Sequence, residues 1–177
     1  MDFLEVVERR KSIRSYKTTP VPGETVKKVL AAALRAPSWA NKQCWRFIAV
    51  EGKAARTLLG KATGQAGPTK AFETAPLVIA LCADPAESGT KNYMEYYMFD
   101  CGLAMENLML AAAAEGLGTC NVGWFDEKAA KVVLNVPENF RVVSLTPLGY
   151  PDEDPASKGR KHMNELVFLN TWGKEYK

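Results

Sequence analysis

The longest apolar stretch of the chain, residues 92–115, limits the possible folds more than any other feature. Its interior carries only three formal charges, at Glu95, Asp100 and Glu106. Three carboxylates interrupt it too often for a membrane span, which needs about 20 mainly apolar residues. We therefore predict a long helix at the centre of a globular core, buried nearly all round.

The methionines and small residues of this helix recur at alternating spacings of four and three, which is typical of a seam against another helix. They are Met94, Met98, Cys101, Met105, Leu108 and Ala112. Such a seam fits a dimer axis, and it fits equally well a helix that packs only within its own domain.

Helices and strands alternate along the rest of the chain, which predicts an α+β or α/β layered domain. The hydrophobic pattern predicts helices at 2–8, 24–35, 54–62 and 126–134, strands at 46–50, 76–82 and 140–148, and loops at 63–70 and 84–90. The strand at 76–82 is apolar without alternation, so both of its faces should be covered. A chain of 177 residues most simply makes one domain, and its apolar C-terminal tail should dock on another surface.

Two basic clusters lie nearly the whole chain apart. Residues 9–17 (RRKSIRSYK) hold five cationic side chains and no acid, and Lys158-Gly159-Arg160-Lys161 follows an acidic turn at 151–155. Folded together, they would make a phosphate clamp with Ser12 as a hydroxyl donor. The alternative is a solvated basic loop. The net charge of only +3 favours a small phosphorylated ligand over a nucleic acid.

A loop of small, amide and aromatic residues at 36–47 runs directly into the strand at 46–50. Asn41 and Gln43 can each donate and accept hydrogen bonds, which suits contact with the polar rim of a heterocycle or a sugar chain. Alternatively, these amides only satisfy the backbone of the turn.

Several common kinds of site are missing from the sequence. The four cysteines form no close pair and His162 is the only histidine, so we predict no metal site and no Ser-His-Asp triad. There is no phosphate-binding Gly-x-x-x-x-Gly-Lys loop, and Gly116-Leu117-Gly118 ends a helix instead of opening one. No signal peptide is visible, and unpaired cysteines suit the cytoplasm. The remaining possibility is a phosphorylated cofactor that supplies the chemistry itself.

Four segments together resemble the FMN-dependent nitroreductase family, and the resemblance covers essentially the whole chain. The segments are 9–16 (RRKSIRSY), 36–47 (APSWANKQCWRF), 116–126 (GLGTCNVGWFD), and 148–151 (LGYP) with Lys158-Gly159-Arg160. The resemblance implies a short, single-domain FMN-binding member with a central, mainly antiparallel sheet flanked by helices. Cys44 departs from the pattern, because the family commonly has proline there.

The resemblance also implies which residues contact the flavin. Those matching the phosphate site are Arg10, Ser12, Lys158 and Arg160, with Arg9 and Lys11 as flanking candidates. Arg14 matches a position near the ribityl chain and the pyrimidine edge. The loop that reaches the flavin of the other subunit supplies Pro37, Ser38 and Asn41, with Gln43 as a further candidate. Val122, Gly123 and Trp124 match the segment whose backbone N–H points at N5, and Lys70 lies near another ring contact.

The family likeness implies a homodimer with FMN sites at the interface and the C-terminal tail docked on the partner. NADH or NADPH would give hydride to flavin N5, and a nitroaromatic, a quinone or a similar small acceptor would take it. Within the same fold, reductive dehalogenation or reduction of an activated alkene is an alternative reaction. A non-catalytic flavin-binding protein is a second alternative.

Overall fold

A computed structural model describes residues 2–176 and contains a four-stranded antiparallel sheet flanked by helices. The strands are β1 (Trp45–Val50), β2 (Leu77–Ala83), β3 (Thr90–Lys91), β4 (Met94–Glu95), β5 (Gly118–Thr119) and β6 (Arg141–Gly149). The helices are α1 (Phe3–Arg9), α2 (Gly23–Ala33), α3 (Lys53–Ala62), α4 (Ala66–Thr74), α5 (Tyr96–Ala114), α6 (Glu127–Leu134) and α7 (Met163–Leu166). The main sheet has the order β1-β2-β6-β5, and β3 and β4 form a separate hairpin.

The sheet separates two apolar clusters. The first lies against α2 and α5, and the second lies against α3, α4 and α6. Every residue of β2 is buried, as expected for an apolar strand with both faces covered. The predicted α+β architecture with a mainly antiparallel sheet and a long core helix is therefore confirmed.

The long helix starts later than predicted, because α5 begins at Tyr96 rather than at Asn92. The preceding residues form the β3–β4 hairpin, with Asn92 and Tyr93 at its tip in left-handed conformations (φ 53° and 63°). The Tyr96 N–H donates to Gly89 O at 2.9 Å, which closes the hairpin at the start of the helix. A continuous apolar pattern did not reveal this turn.

In the single chain, one side of α5 is buried and the other is open. Cys101, Met105, Leu108 and Ala112 belong to the first apolar cluster of their own chain. The other side is open, where Met98 and Phe99 are 51% and 62% exposed. The predicted seam is thus mainly an internal contact. Within residues 2–176, no helix has both the length and the apolar character needed to cross a membrane.

The segment predicted as a flexible loop at 63–70 is partly helical, because α4 begins at Ala66. Pro68 falls in the first turn, where its missing N–H does not break the helix. Phe72 is fully buried against α3, and a Cβ on Gly60 would lie only 3.0 Å from the Phe72 Cβ. Arg56 donates to three carbonyls at the end of the helix, those of Phe72, Glu73 and Ala75. Tertiary contacts thus override the local glycine and proline signals.

The C-terminal tail keeps much of its apolar surface exposed. The rings of Phe168 and Trp172 are in contact at an interplanar angle of 51°, with centroids 4.9 Å apart, yet Trp172 is 92% exposed. Met163 and Leu166 of α7 are 63% and 60% exposed.

Candidate flavin site

The basic segment at 9–17 is held along β5 and the end of β6 by backbone hydrogen bonds. The Ile13 N–H donates to Thr119 O, and the Lys17 N–H donates to Tyr150 O, each at 2.9 Å. The Ile13 side chain is buried, which anchors the segment between its basic neighbours. The cationic side chains therefore project from a fixed backbone.

The acidic turn after β6 docks onto this segment. The Glu153 carboxylate accepts hydrogen bonds from the backbone N–H groups of Arg14 and of Ser15, the latter at 3.1 Å. The Lys11 ammonium donates to Asp154 Oδ1 at 2.8 Å, and this contact holds the pKa of the Asp154 carboxyl below its usual range. These two acids fix the chain that leads to the second basic cluster.

The two basic clusters meet around one cavity of about 130 Å³. Its lining consists of Arg10, Lys11, Ser12, Arg14, Pro155, Ala156, Ser157, Lys158 and Arg160. A second cavity of about 430 Å³ shares Arg10 and Lys11 and is also lined by Arg9. We call the first cavity and its lining the clamp.

Not every cation of the clamp is free. Besides the Lys11 pair, Arg10 Nε lies 3.8 Å from Glu106 Oε1. Lys158 and Arg160 have no carboxylate partner within the part of the chain that the structure describes. The Arg160 guanidinium donates to the Lys158 carbonyl at 3.2 Å. These two cations are thus placed to meet an anion.

The segment at 122–124 has two backbone donors available for a ligand. The Val122 N–H donates to Leu145 O at 2.9 Å and is therefore occupied. The N–H groups of Gly123 and Trp124 have no acceptor among residues 2–176. A Cβ built on Gly123 meets no atom within 4 Å, and Trp124 is 78% exposed, so this backbone borders open space.

Lys70 lies on the exposed side of α4 and does not line the clamp. Its neighbour Ala71, together with Ala75, packs against Ile13 and Tyr16 of the basic segment. Helix α4 therefore carries Lys70 alongside the segment that bears Arg14.

The loop at 37–43 does not reach the clamp of its own chain. Pro37, Asn41 and Gln43 are exposed, Ser38 is half-buried, and none of them lines the cavity. Three non-glycine residues of this loop are left-handed: Ala40 (φ 46°), Asn41 (φ 55°) and Gln43 (φ 52°). Such conformations cost about 1–3 kcal/mol each and persist only where the surroundings enforce them.

Asp100, which the sequence showed only as a charge within an apolar helix, lies beneath this loop. It is 1% exposed and accepts hydrogen bonds from the Trp39 N–H (2.9 Å), the Ser88 hydroxyl (3.0 Å) and the Cys44 thiol (3.7 Å). Burial, followed by the Asp100 charge, raises the pKa of the Cys44 thiol to about 11. The Cys44 thiol is therefore protonated at neutral pH and serves as a donor to Asp100.

Comparisons with known proteins identify the family. The model of the Nitroreductase family matches residues 7–70 and 63–150. An Archaeoglobus fulgidus protein, provisionally assigned as an NADH dehydrogenase or NAD(P)H nitroreductase, is 35% identical over 157 residues, covering 86% of this chain and 87% of its own length.

Solved structures agree with this assignment. A nitroreductase family protein from Clostridium novyi NT has a TM-score of 0.84 and 36% identity, over 99% of this chain and 97% of that one. An FMN-dependent nitroreductase from Clostridium difficile R20291 has a TM-score of 0.83 and 27% identity, over 96% and 99%. The chain belongs to the nitroreductase family of oxidoreductase enzymes, as its four sequence segments predicted.

Proposed function

We propose that this protein is an FMN-dependent NAD(P)H oxidoreductase that reduces nitroaromatics, quinones or similar small acceptors. The observation that carries this proposal is the clamp, in which cations from opposite ends of the chain surround one cavity. Family membership supports it, because relatives carry the names NAD(P)H nitroreductase and FMN-dependent nitroreductase.

The donors of the clamp fit a phosphate monoester. The Ser12 hydroxyl and the Arg10, Lys158 and Arg160 side chains offer one neutral and three cationic donors around the cavity. Arg14 lines the same cavity, and its guanidinium donates to Ser12 O at 3.1 Å, next to the phosphate donors. These residues would hold the FMN phosphate and place a cation toward the flavin ring.

Bound FMN would accept hydride from NADH or NADPH and pass it to the acceptor. The protein contributes position and electrostatics. The free N–H groups of Gly123 and Trp124 would donate to the ring edge, and the Arg14 and Lys70 cations would stabilise negative charge on it. The open space beside Gly123 would let a flat ring approach this backbone.

A homodimer with FMN at the interface fits the exposed surfaces. Phe3 and Leu4 of α1 are each 65% exposed, and α1 packs against α5, whose Phe99 is 62% exposed. In this arrangement the loop at 37–43 contacts the flavin of the partner, and the tail with Trp172 docks on the partner subunit. The four free cysteines are all buried thiols, which suits a reducing cytoplasm.

The decisive experiment is an anaerobic absorbance spectrum of the FMN-loaded protein before and after addition of NADH, and then of NADPH. Bleaching of the flavin by either donor supports the proposal and names the donor, and turnover with nitroaromatics, quinones, halogenated aromatics and activated alkenes then defines the acceptor. A protein that binds no FMN refutes it. Reduction by dithionite alone would indicate a non-catalytic flavin-binding protein.

A further inference from the structure

The Asp100 carboxylate is buried although no cation offsets its charge. Its three hydrogen-bond donors are an amide, a hydroxyl and a thiol, and it has no ion-pair partner in the described range 2–176. Burial of a carboxylate is unfavourable unless several donors satisfy it. All three donors lie outside α5, in the loops before β1 and after β2, so Asp100 joins these loops to the core helix.

The shape of the loop at 37–43 does not follow from its own residues. Alanine and glutamine rarely adopt the left-handed conformations seen at Ala40 and Gln43. Internal contacts help, since the Gln43 N–H donates to Ser38 Oγ at 2.9 Å, the Asn41 N–H donates to Ser38 O at 3.0 Å, and the Gln43 side-chain amide donates to Asn41 O at 3.3 Å. Two hydrogen bonds reach other elements: the Trp39 N–H donates to Asp100 at the start of the short 3₁₀ turn Trp39–Asn41, and the Arg46 guanidinium of β1 donates to Gln43 O at 3.3 Å.

The neighbouring Gly89 supports the loop from a second side. A Cβ on Gly89 would lie 2.3 Å from Trp39 Cε2, so the indole ring rests directly on this backbone. Ser88, one residue earlier, donates to Asp100. The carboxylate and the glycine thus act on the same tryptophan, one through its amide and the other through its ring.

We propose that Asp100 is the positioning residue that holds the loop at 37–43 in the shape with which it binds the flavin. The inference rests on the proposed function, in which this loop contacts FMN. Asp100 itself touches no reacting atom. It acts through Trp39, and its loss should therefore loosen the loop and weaken FMN binding while the clamp residues stay in place.

The test compares Asp100→Ala, Asp100→Asn and Gly89→Ala with the wild-type enzyme, with and without FMN. Amide hydrogen exchange of peptides covering 37–44 should be at least about 10-fold faster in Asp100→Ala and Gly89→Ala, and the FMN Kd should rise about 10-fold, which is about 1.4 kcal/mol. Asp100→Asn should show smaller changes, because its amide oxygen still accepts from Trp39.

Val78→Ala is the matched control, since Val78 is fully buried in the apolar cluster on the opposite face of the sheet. It should lower the melting temperature without changing exchange at 37–44 or the FMN Kd. The proposal is overturned if Asp100→Ala leaves either the exchange at 37–44 or the FMN Kd unchanged, or if Val78→Ala changes both quantities equally. If Asp100→Ala does not fold, amide hydrogen exchange at 37–44 and the FMN Kd of Asp100→Asn and Gly89→Ala test the proposal instead.

Failure of the proposed function gives a different result. If the wild-type protein binds no FMN, both the function and the flavin role of the loop are refuted, whatever the exchange rates show. If the wild type binds FMN and Asp100→Ala binds it equally tightly, only the inference about Asp100 is wrong.

Discussion

The Lys11 ammonium lies 2.8 Å from the Asp154 carboxylate, across 143 positions of sequence. Beside this pair, Glu153 accepts from the backbone N–H groups of Arg14 and Ser15. The clamp is therefore a mixed site, in which acids hold the basic segments together. Of its cations, Arg14, Lys158 and Arg160 have side chains without a carboxylate partner in the described chain.

Lys158→Ala and Arg160→Ala should each weaken FMN binding about 10- to 100-fold, because each removes a charged hydrogen-bond donor to the phosphate. Riboflavin lacks the phosphate, so its affinity should not change. Fluorescence titration of the flavin-free protein measures both constants. Lys27→Ala is the control, since Lys27 pairs with Glu24 on an exposed helix surface. An equal loss of riboflavin and FMN affinity would contradict the phosphate assignment.

Lys11→Ala should weaken FMN binding by no more than about threefold, because it leaves the Asp154 carboxylate unneutralised beside the clamp but that carboxylate is exposed and its charge is screened. Asp154→Asn frees the Lys11 charge beside the clamp and should tighten FMN binding. The gain should be clear at about 0.01 M salt and vanish at about 1 M, where charges are screened. Titrations at both ionic strengths test this. Looser binding by Asp154→Asn at low salt would show that the pair acts mainly by holding the turn.

Mixed dimers should reveal which subunit supplies the loop to each flavin. One subunit carries Lys158→Ala with Arg160→Ala, and the other carries Ser38→Ala with Asn41→Ala. If the loop acts on the partner, the mixed dimer has one intact site and binds half the wild-type amount of FMN with wild-type affinity. Both variant homodimers should bind weakly. A mixed dimer without any tight site would place the loop at the flavin of its own subunit.

Glu127→Gln should destabilise the protein by about 1.5 kcal/mol at neutral pH, because Glu127 receives charged hydrogen bonds from Arg141 (2.8 Å) and one from the Val142 N–H (3.0 Å). The Arg141 contact, before all other causes, lowers the pKa of the Glu127 carboxyl below its ordinary 4.5. The stabilisation is present above that ordinary value and is lost as the pH falls through the lowered pKa.

Urea unfolding of both proteins between neutral pH and about pH 4 measures this difference. The difference in the free energy of unfolding between the wild type and Glu127→Gln should be constant above the ordinary pKa and should decrease below it. Glu24→Gln removes one partner of an exposed pair, so its free energy of unfolding should match that of the wild type at every pH. A difference in the free energy of unfolding that increases as the pH falls would refute the stabilising role of the ionised Glu127 carboxylate.

Ser144→Ala should leave the protein equally stable or stabilise it by about 1 kcal/mol, because the hydroxyl is buried and, among the described residues, has no hydrogen-bond partner. Thr63→Val is the contrasting variant. The Thr63 hydroxyl is also buried but donates to Gly60 O at 2.7 Å, so loss of this hydrogen bond should destabilise the protein. Thermal unfolding of both variants tests the pair of expectations.

Elements with a strong internal pattern were predictable from the sequence. The strands at 46–50, 76–82 and 140–148 all formed within a residue of their expected ends. The prediction failed where distant contacts outweigh local preference, as in α4, which depends on Gly60 and Arg56 of another helix. It also failed at the β3–β4 hairpin, whose turn residues Asn92 and Tyr93 stand within an apolar pattern.

The site was predictable to a similar degree. The basic clusters were visible because charges in loops stand out, and the structure brings them to one cavity. Their acid partners could not be assigned, since Asp154 and Glu153 reach the basic segment only through the fold. Asp100 left no signal beyond one charge in an apolar helix, because its partners lie 61 positions away at Trp39 and 56 away at Cys44.

The left-handed residues at the loop tip have a practical consequence for engineering. Under the proposed role of Asp100 the path of the loop is set from beneath, so an exposed side chain without an assigned flavin contact can be exchanged without redirecting the backbone. A library aimed at new acceptors should therefore randomise position 40, with asparagine, aspartate and glycine favoured there, and keep Asn41 and Gln43, which the proposed function assigns to the flavin. Asp100 and Gly89 should stay constant, so that every clone presents its new side chains from the same scaffold.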